Sequence, residues 1–161
     1  MNEDLIKQGD EYAERITEFL ASRQQLFTME RYKSRSIFKY NVPHLAGDIQ
    51  VEIQAKPFAD FFAVFATAPI LVPEHRRDWF LSILTRERFS KTPIRQELDF
   101  KTGAVRVGYS SMLCLEWVSE KRLSQMTARS VAMLEVLMGL LQELAQSSDT
   151  ESNVEGYDDL V

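Results

Sequence analysis

The chain has 161 residues and a mass of 18.6 kDa, with 45% hydrophobic and 27% charged residues, which fits one globular domain large enough to bury a core. No run of about 18 apolar residues is present, and the start, MNEDLIKQGDEYAER, is acidic where a signal or transit peptide would be basic, so a cytoplasmic protein without membrane contact is expected. The net charge of −5 comes from the stretch after Gln146, where Asp149, Glu151, Glu155, Asp158 and Asp159 meet no Lys or Arg; residues 1–146 are neutral overall, which speaks against a general nucleic-acid binder.

Residues 3 to about 20 read as an amphipathic helix. Leu5, Tyr12, Ile16, Phe19 and Leu20 recur at three- and four-residue spacing, and Asn2 stands where an N-cap would. A polar link, Ala21–Gln25, leads to a first strand in which Tyr32, Ser34, Ser36, Phe38 and Tyr40 alternate with Arg31, Lys33, Arg35 and Lys39. That basic row is either a patch for an acidic partner or a charged strand face that discourages aggregation. Asn41–Asp48, with Pro43 and Gly47, reads as a turn, and Ile49, Val51, Ile53 and Ala55 mark a second strand.

After Lys56-Pro57, the segment Phe58–Ala66 is apolar on both sides, with Phe61 and Phe65 on one and Phe58, Phe62 and Val64 on the other. Such a run suits a central strand covered on both faces. Pro73 opens a helix over Glu74 to about Arg88 that buries Phe80, Ile83 and Leu84. A hairpin follows. Ile94, Leu98 and Phe100 alternate with polar residues, Gly103 supplies the turn, and placing Leu98 opposite Val105 puts Ile94 opposite Tyr109. Ser119 or Ser124, the latter preferred, caps a last helix with Leu123, Met126, Ser130, Leu134, Leu137, Leu141 and Leu144 in one stripe. The expected order is α-β-β-β-α-β-β-α, an α+β domain over residues 1–146 with an antiparallel sheet of about five strands flanked by helices. Residues 147–161 form an acidic tail whose low hydrophobicity and single sign of charge predict disorder.

Chemistry-bearing residues are sparse. His44 lies in a turn and His75 beside Arg76 and Arg77, and neither has a metal-ligand partner at helical spacing. The single cysteine, Cys114, excludes an internal disulfide and sits in a strand pattern, where an inert buried thiol is usual. No glycine-rich phosphate loop occurs. Arg86, Arg88, Lys91 and Arg95, near Phe89 and Trp79, make the best positive cluster for single-stranded nucleic acid, but Glu87 and the neutral body oppose it. Hence no catalytic residue, cofactor or metal is expected, and the protein reads as non-enzymatic.

One demand is left over. The doubly apolar runs Phe58–Ala66 and Met112–Leu115 need a cover on their second side, and a second subunit or a partner polypeptide can supply it. Phe58, Phe61, Phe62, Phe65, Met112 and Cys114 are the expected interface residues. The stretches ADFFAVFA, RRDWFLSILTRERF, QELDFKTGAVRV and RLSQMTARSVAMLEVLMGLLQEL resemble the YbjN-like family of bacterial proteins, which shares its fold with class I type III secretion chaperones. The resemblance covers about residues 30 to 146. It implies an often dimeric α+β domain that acts in chaperoning or regulation through protein–protein contacts. The expectation is therefore a protein-binding module, chaperone- or adaptor-like and homodimeric, with a regulatory domain binding a small ligand or nucleic acid as the alternative.

Overall fold

Helix α1 (Glu3–Ser22) turns Tyr12, Ala13, Ile16, Phe19 and Leu20 inward, as their spacing demands. The structure, a computed structural model, describes residues 3–87, 94–112 and 118–147. After α1 come β1 (Thr28–Tyr32), β2 (Arg35–Val42), β3 (Ile49–Lys56) and β4 (Phe61–Leu71). A short 3-10 turn leads into α2 (Arg77–Glu87), and β5 (Ile94–Leu98), β6 (Ala104–Met112) and α3 (Glu120–Ser147) complete the order. The fold is α+β: an open six-stranded sheet, β1-β2-β3-β4-β6-β5, with every neighbouring pair antiparallel. No helix among the described residues is long and apolar enough to cross a membrane.

The helices gather on one face. α1 lies against β2 and β3, while α3 lies across β4 and β6. Beneath them Phe38, Ile49, Val51, Ile53, Phe62, Val64, Ala66, Val105 and Val107 form one core with Phe80 and Leu84 of α2 and the Leu123–Leu144 stripe of α3. Ser130, buried within that stripe, donates its hydroxyl to the Val64 carbonyl at 3.3 Å. Ile37, Ala63 and Phe65 are equally buried but lie outside this core, on the opposite side of the sheet.

Three sequence expectations change. The first strand is two: Tyr32 pairs with Arg35, so Lys33-Ser34 is a two-residue hairpin loop, with Lys33 at φ 56°. The order becomes α-β-β-β-β-α-β-β-α. The loop also inverts the side-chain parity, so Arg31 falls in line with Ser36 and Tyr32 with Arg35. Arg31 then ion-pairs with Asp10 of α1, whereas Lys39 reaches Glu30 at 2.7 Å on the other face, so no continuous basic row exists. Phe58 is not in a strand. Pro57–Ala59 make a 3-10 turn, and Asp60 at φ 45° redirects the chain into β4. α3 begins at Glu120 after Ser119, whose carbonyl accepts the Leu123 N–H at 2.9 Å, rather than at Ser124.

The β5–β6 hairpin keeps the expected register, Leu98 opposite Val105 and Ile94 opposite Tyr109. Gly103 takes φ 81° and presses on the Val72 carbonyl, where an added Cβ would sit at 2.3 Å. Arg77 ties α2 to this turn by donating to the carbonyls of Phe100 (2.7 Å) and Lys101 (3.3 Å). The Asp99 carboxylate accepts from the Thr102 hydroxyl and from the Lys101 N–H, in that order of effect, which holds its pKa below the ordinary value.

Gly139 lies in the exposed part of α3, and nothing stands within 4 Å of a Cβ added there. Close packing therefore does not explain it. Gly139→Ala is expected to stabilise the protein by about 1 kcal/mol, the helix-propensity difference, read as a raised urea midpoint with an unchanged slope. A lowered midpoint would place a neighbour against that helix face.

Candidate functional site

The face without helices is a mosaic whose character changes from one end to the other. At its far end Arg106 donates to Glu97 at 2.6 Å, and its guanidinium lies 4.4 Å from the centre of the Phe65 ring. Phe65 is left only 3% exposed. Further in, Lys39 is held by Glu30 and the Gln54 amide by Glu52. The hydrogen bond from Lys39 lowers the Glu30 pKa, and the same bond raises that of Lys39. These contacts satisfy most of the charge, and the long stems of Arg106 and its neighbours cover apolar surface as such side chains do.

The other end is different. The register places Tyr32 beside Arg35, Lys56 beside Phe61 and Phe61 beside Met112. Continuing the β2–β3 ladder one rung past Ser36–Ala55 sets Arg35 across from Lys56. A single row thus crosses five strands: Tyr32, Arg35, Lys56, Phe61, Met112. The Lys56 ammonium lies 4.8 Å from the Phe61 ring centre. Burial pushes its pKa down, the charges of Arg35 and Arg106 add to that, and Glu52 opposes. Tyr32 is 70% and Met112 78% exposed, and Phe58, 62% exposed, sits on the β3–β4 connection at this same end. Two cations facing each other across a ladder are destabilising by themselves. Here they lie among exposed apolar groups, the composition of a contact surface.

No family model, curated protein or solved structure matches this chain.

Of the expected interface residues, Phe61, Phe65 and Met112 share the helix-free face, and Phe61 and Met112 are direct cross-strand neighbours. Phe62 is a correction. Fully buried in the core under the helices, it cannot meet a partner. Phe65 is closed over by Arg106, so the second side of β4 is covered largely from within the chain. Cys114 lies outside the described residues, as do the side chains of Arg86, Arg88, Lys91 and Phe89. Arg95 is exposed on the edge strand β5, and Trp79 is half exposed. Tyr32 and Lys56 were not singled out as site residues by the sequence, and Arg35 only as part of the basic row, because only the strand order brings 32–35, 56–61 and 112 together.

His75 is exposed, and the His44 ring accepts the Ala46 N–H through Nδ1 at 3.1 Å. Among the described residues no group of three His, Cys, Asp or Glu could hold a metal ion. A separate open groove of about 460 Å³ runs between the end of α1 and the first half of α3, with Leu20, Val42 and Val131 among its apolar lining and Arg23, Gln25, Tyr40, Ser124, Thr127 and Glu135 as its polar groups. Burial raises the Tyr40 pKa, and the Thr127 hydroxyl and the Arg23 charge pull it back.

Proposed function

We propose that this protein is a non-enzymatic polypeptide-binding module, adaptor- or chaperone-like, that engages its partner through the Tyr32–Met112 row of the helix-free sheet face. One observation carries the reading: Phe61 and Met112 are cross-strand neighbours on a face that none of the described helices covers, next to two cations, Arg35 and Lys56, that form no ion pair among the described residues. Exposed apolar groups beside unsatisfied charge suit a partner that brings apolar side chains and acidic groups together. The resemblance to YbjN-like proteins points toward the same class. A second copy of the chain is one form such a partner can take, and the apolar patch would then be shared across a two-fold axis. The groove between α1 and α3 supports the alternative of a small ligand, because apolar side chains and polar groups of α1, β2 and α3 line one trough there.

The test uses Met112→Asp, a change at an exposed position that leaves the core untouched. Cross-linking of the intact protein in cells, followed by mass spectrometry, is expected to trap a polypeptide on residues of β4 or β6 in the wild type and lose it in the variant, at an unchanged melting temperature. Sedimentation equilibrium at micromolar concentration separates a homodimer from a foreign partner. A monomer that traps nothing at this face in either form sinks the proposal.

A further inference from the structure

We propose that residues 148–161 of this chain dock on the helix-free face, with their carboxylates on Arg35 and Lys56 and their apolar side chains on Tyr32, Phe61 and Met112. The inference rests on the reading of that face as a polypeptide-binding surface, and it names an occupant. Among the described residues, Lys39 and Arg106 of this face each meet a carboxylate, while Arg35 and Lys56 form no ion pair. Standing across from each other, these two gain most from an anion set between them. The row flanks them with an exposed tyrosine on one side and Phe61 with Met112 on the other. An occupant therefore needs carboxylates interleaved with apolar or aromatic residues, and no cation.

Residues 148–161 have that make-up. Asp149, Glu151, Glu155, Asp158 and Asp159 alternate loosely with Val154, Tyr157, Leu160 and Val161, and no Lys or Arg intervenes. Reach is sufficient. α3 ends at Ser147 on the helix side, and fourteen residues can span roughly 46 Å when extended. A route round the sheet edge crosses the helix layer and the sheet, each about 10 Å thick, and several strands at roughly 4.8 Å each, so the distal residues of the segment are the ones that reach the row. Tethering gives an effective concentration on the order of millimolar, so an untethered acidic segment has to displace the tail before it can bind. Exposed ion pairs are weak and screened, so the docking is weak and salt-sensitive.

The experiment compares backbone amide spectra of the full-length chain with those of a full-length variant whose five tail carboxylates are amides (Asp149→Asn, Glu151→Gln, Glu155→Gln, Asp158→Asn, Asp159→Asn). At low salt the two are expected to differ at residues 30–37, 54–63 and 110–112, and the difference is expected to vanish at about 0.5 M salt, where the screening length is only a few ångströms. A synthetic peptide of residues 148–161, added to the amide variant, should restore the wild-type shifts. Arg35→Gln or Lys56→Gln should weaken that peptide about fivefold or more, whereas Arg95→Gln, on the same face but at its far edge, should not. Coincident spectra at those residues, or peptide shifts confined to the α1–α3 groove, overturn the proposal. So does inorganic phosphate reproducing the shifts at equal concentration, which would make the row a general anion site. Loss of the tail effect with a partner still cross-linked near Met112 removes this inference and leaves the binding function standing.

Discussion

Gly108→Ala is expected to destabilise the protein by about 3 kcal/mol, because the added methyl has nowhere to go. Gly108 pairs with Phe65 between the central strands β4 and β6, and a Cβ there would lie 2.1 Å from the Val64 carbonyl and 2.7 Å from the Phe65 ring. The first of these neighbours is backbone and cannot rotate aside. Relief requires β4 and β6 to part, which loosens ladder hydrogen bonds, or Phe65 to swing outward, which also breaks its contact with Arg106. At about 2–4 °C per kcal/mol for a domain of this size, the melting temperature should fall by roughly 6–12 °C. A variant that melts within a degree or two of the wild type would mean that β4 and β6 do not pair in this register.

The second large effect separates two adjacent phenylalanines. Phe62→Ala empties a fully buried core position beneath the helices and should cost about 3–5 kcal/mol. Phe61→Ala removes a partly exposed ring that lies against the Lys56 ammonium, and should cost about 1 kcal/mol or less. On partner binding the order reverses. Phe61→Ala is expected to weaken cross-linking at the helix-free face, while Phe62→Ala, assayed where it remains folded, should not. Urea denaturation of both variants beside the binding assay checks this. A stable Phe62→Ala that no longer binds would show that the two faces of β4 have been assigned the wrong way round.

These two residues also mark how far the sequence could be read. Alternation correctly put Phe61 and Phe65 on one side of β4 and Phe62 and Val64 on the other, since successive strand residues always oppose. It could not say which side faced helices and which was closed by cations. Arg106 lies 41 positions beyond Phe65, and only the β4–β6 pairing brings its guanidinium over that ring. The inference that the second side of the strand needed an outside cover counted apolar residues and left out the cover that Arg106 gives Phe65.

By itself, the sequence determined whatever depends on near neighbours. The inward stripes of α1 and α3 follow from a 3.6-residue period, and the Leu98–Val105 register follows from alternation around a single glycine turn. Tertiary structure decided the rest. Lys33-Ser34 carries no Gly, Asn, Asp or Pro to announce a turn, so the alternation runs unbroken through the loop while the chain reverses. That reversal inverts the parity, sends Arg31 to Asp10 of α1, and leaves Tyr32 and Arg35 together on the open face. Their meeting with Lys56, Phe61 and Met112 depends on strand order, a choice among long-range pairings set by the whole core and by no local period.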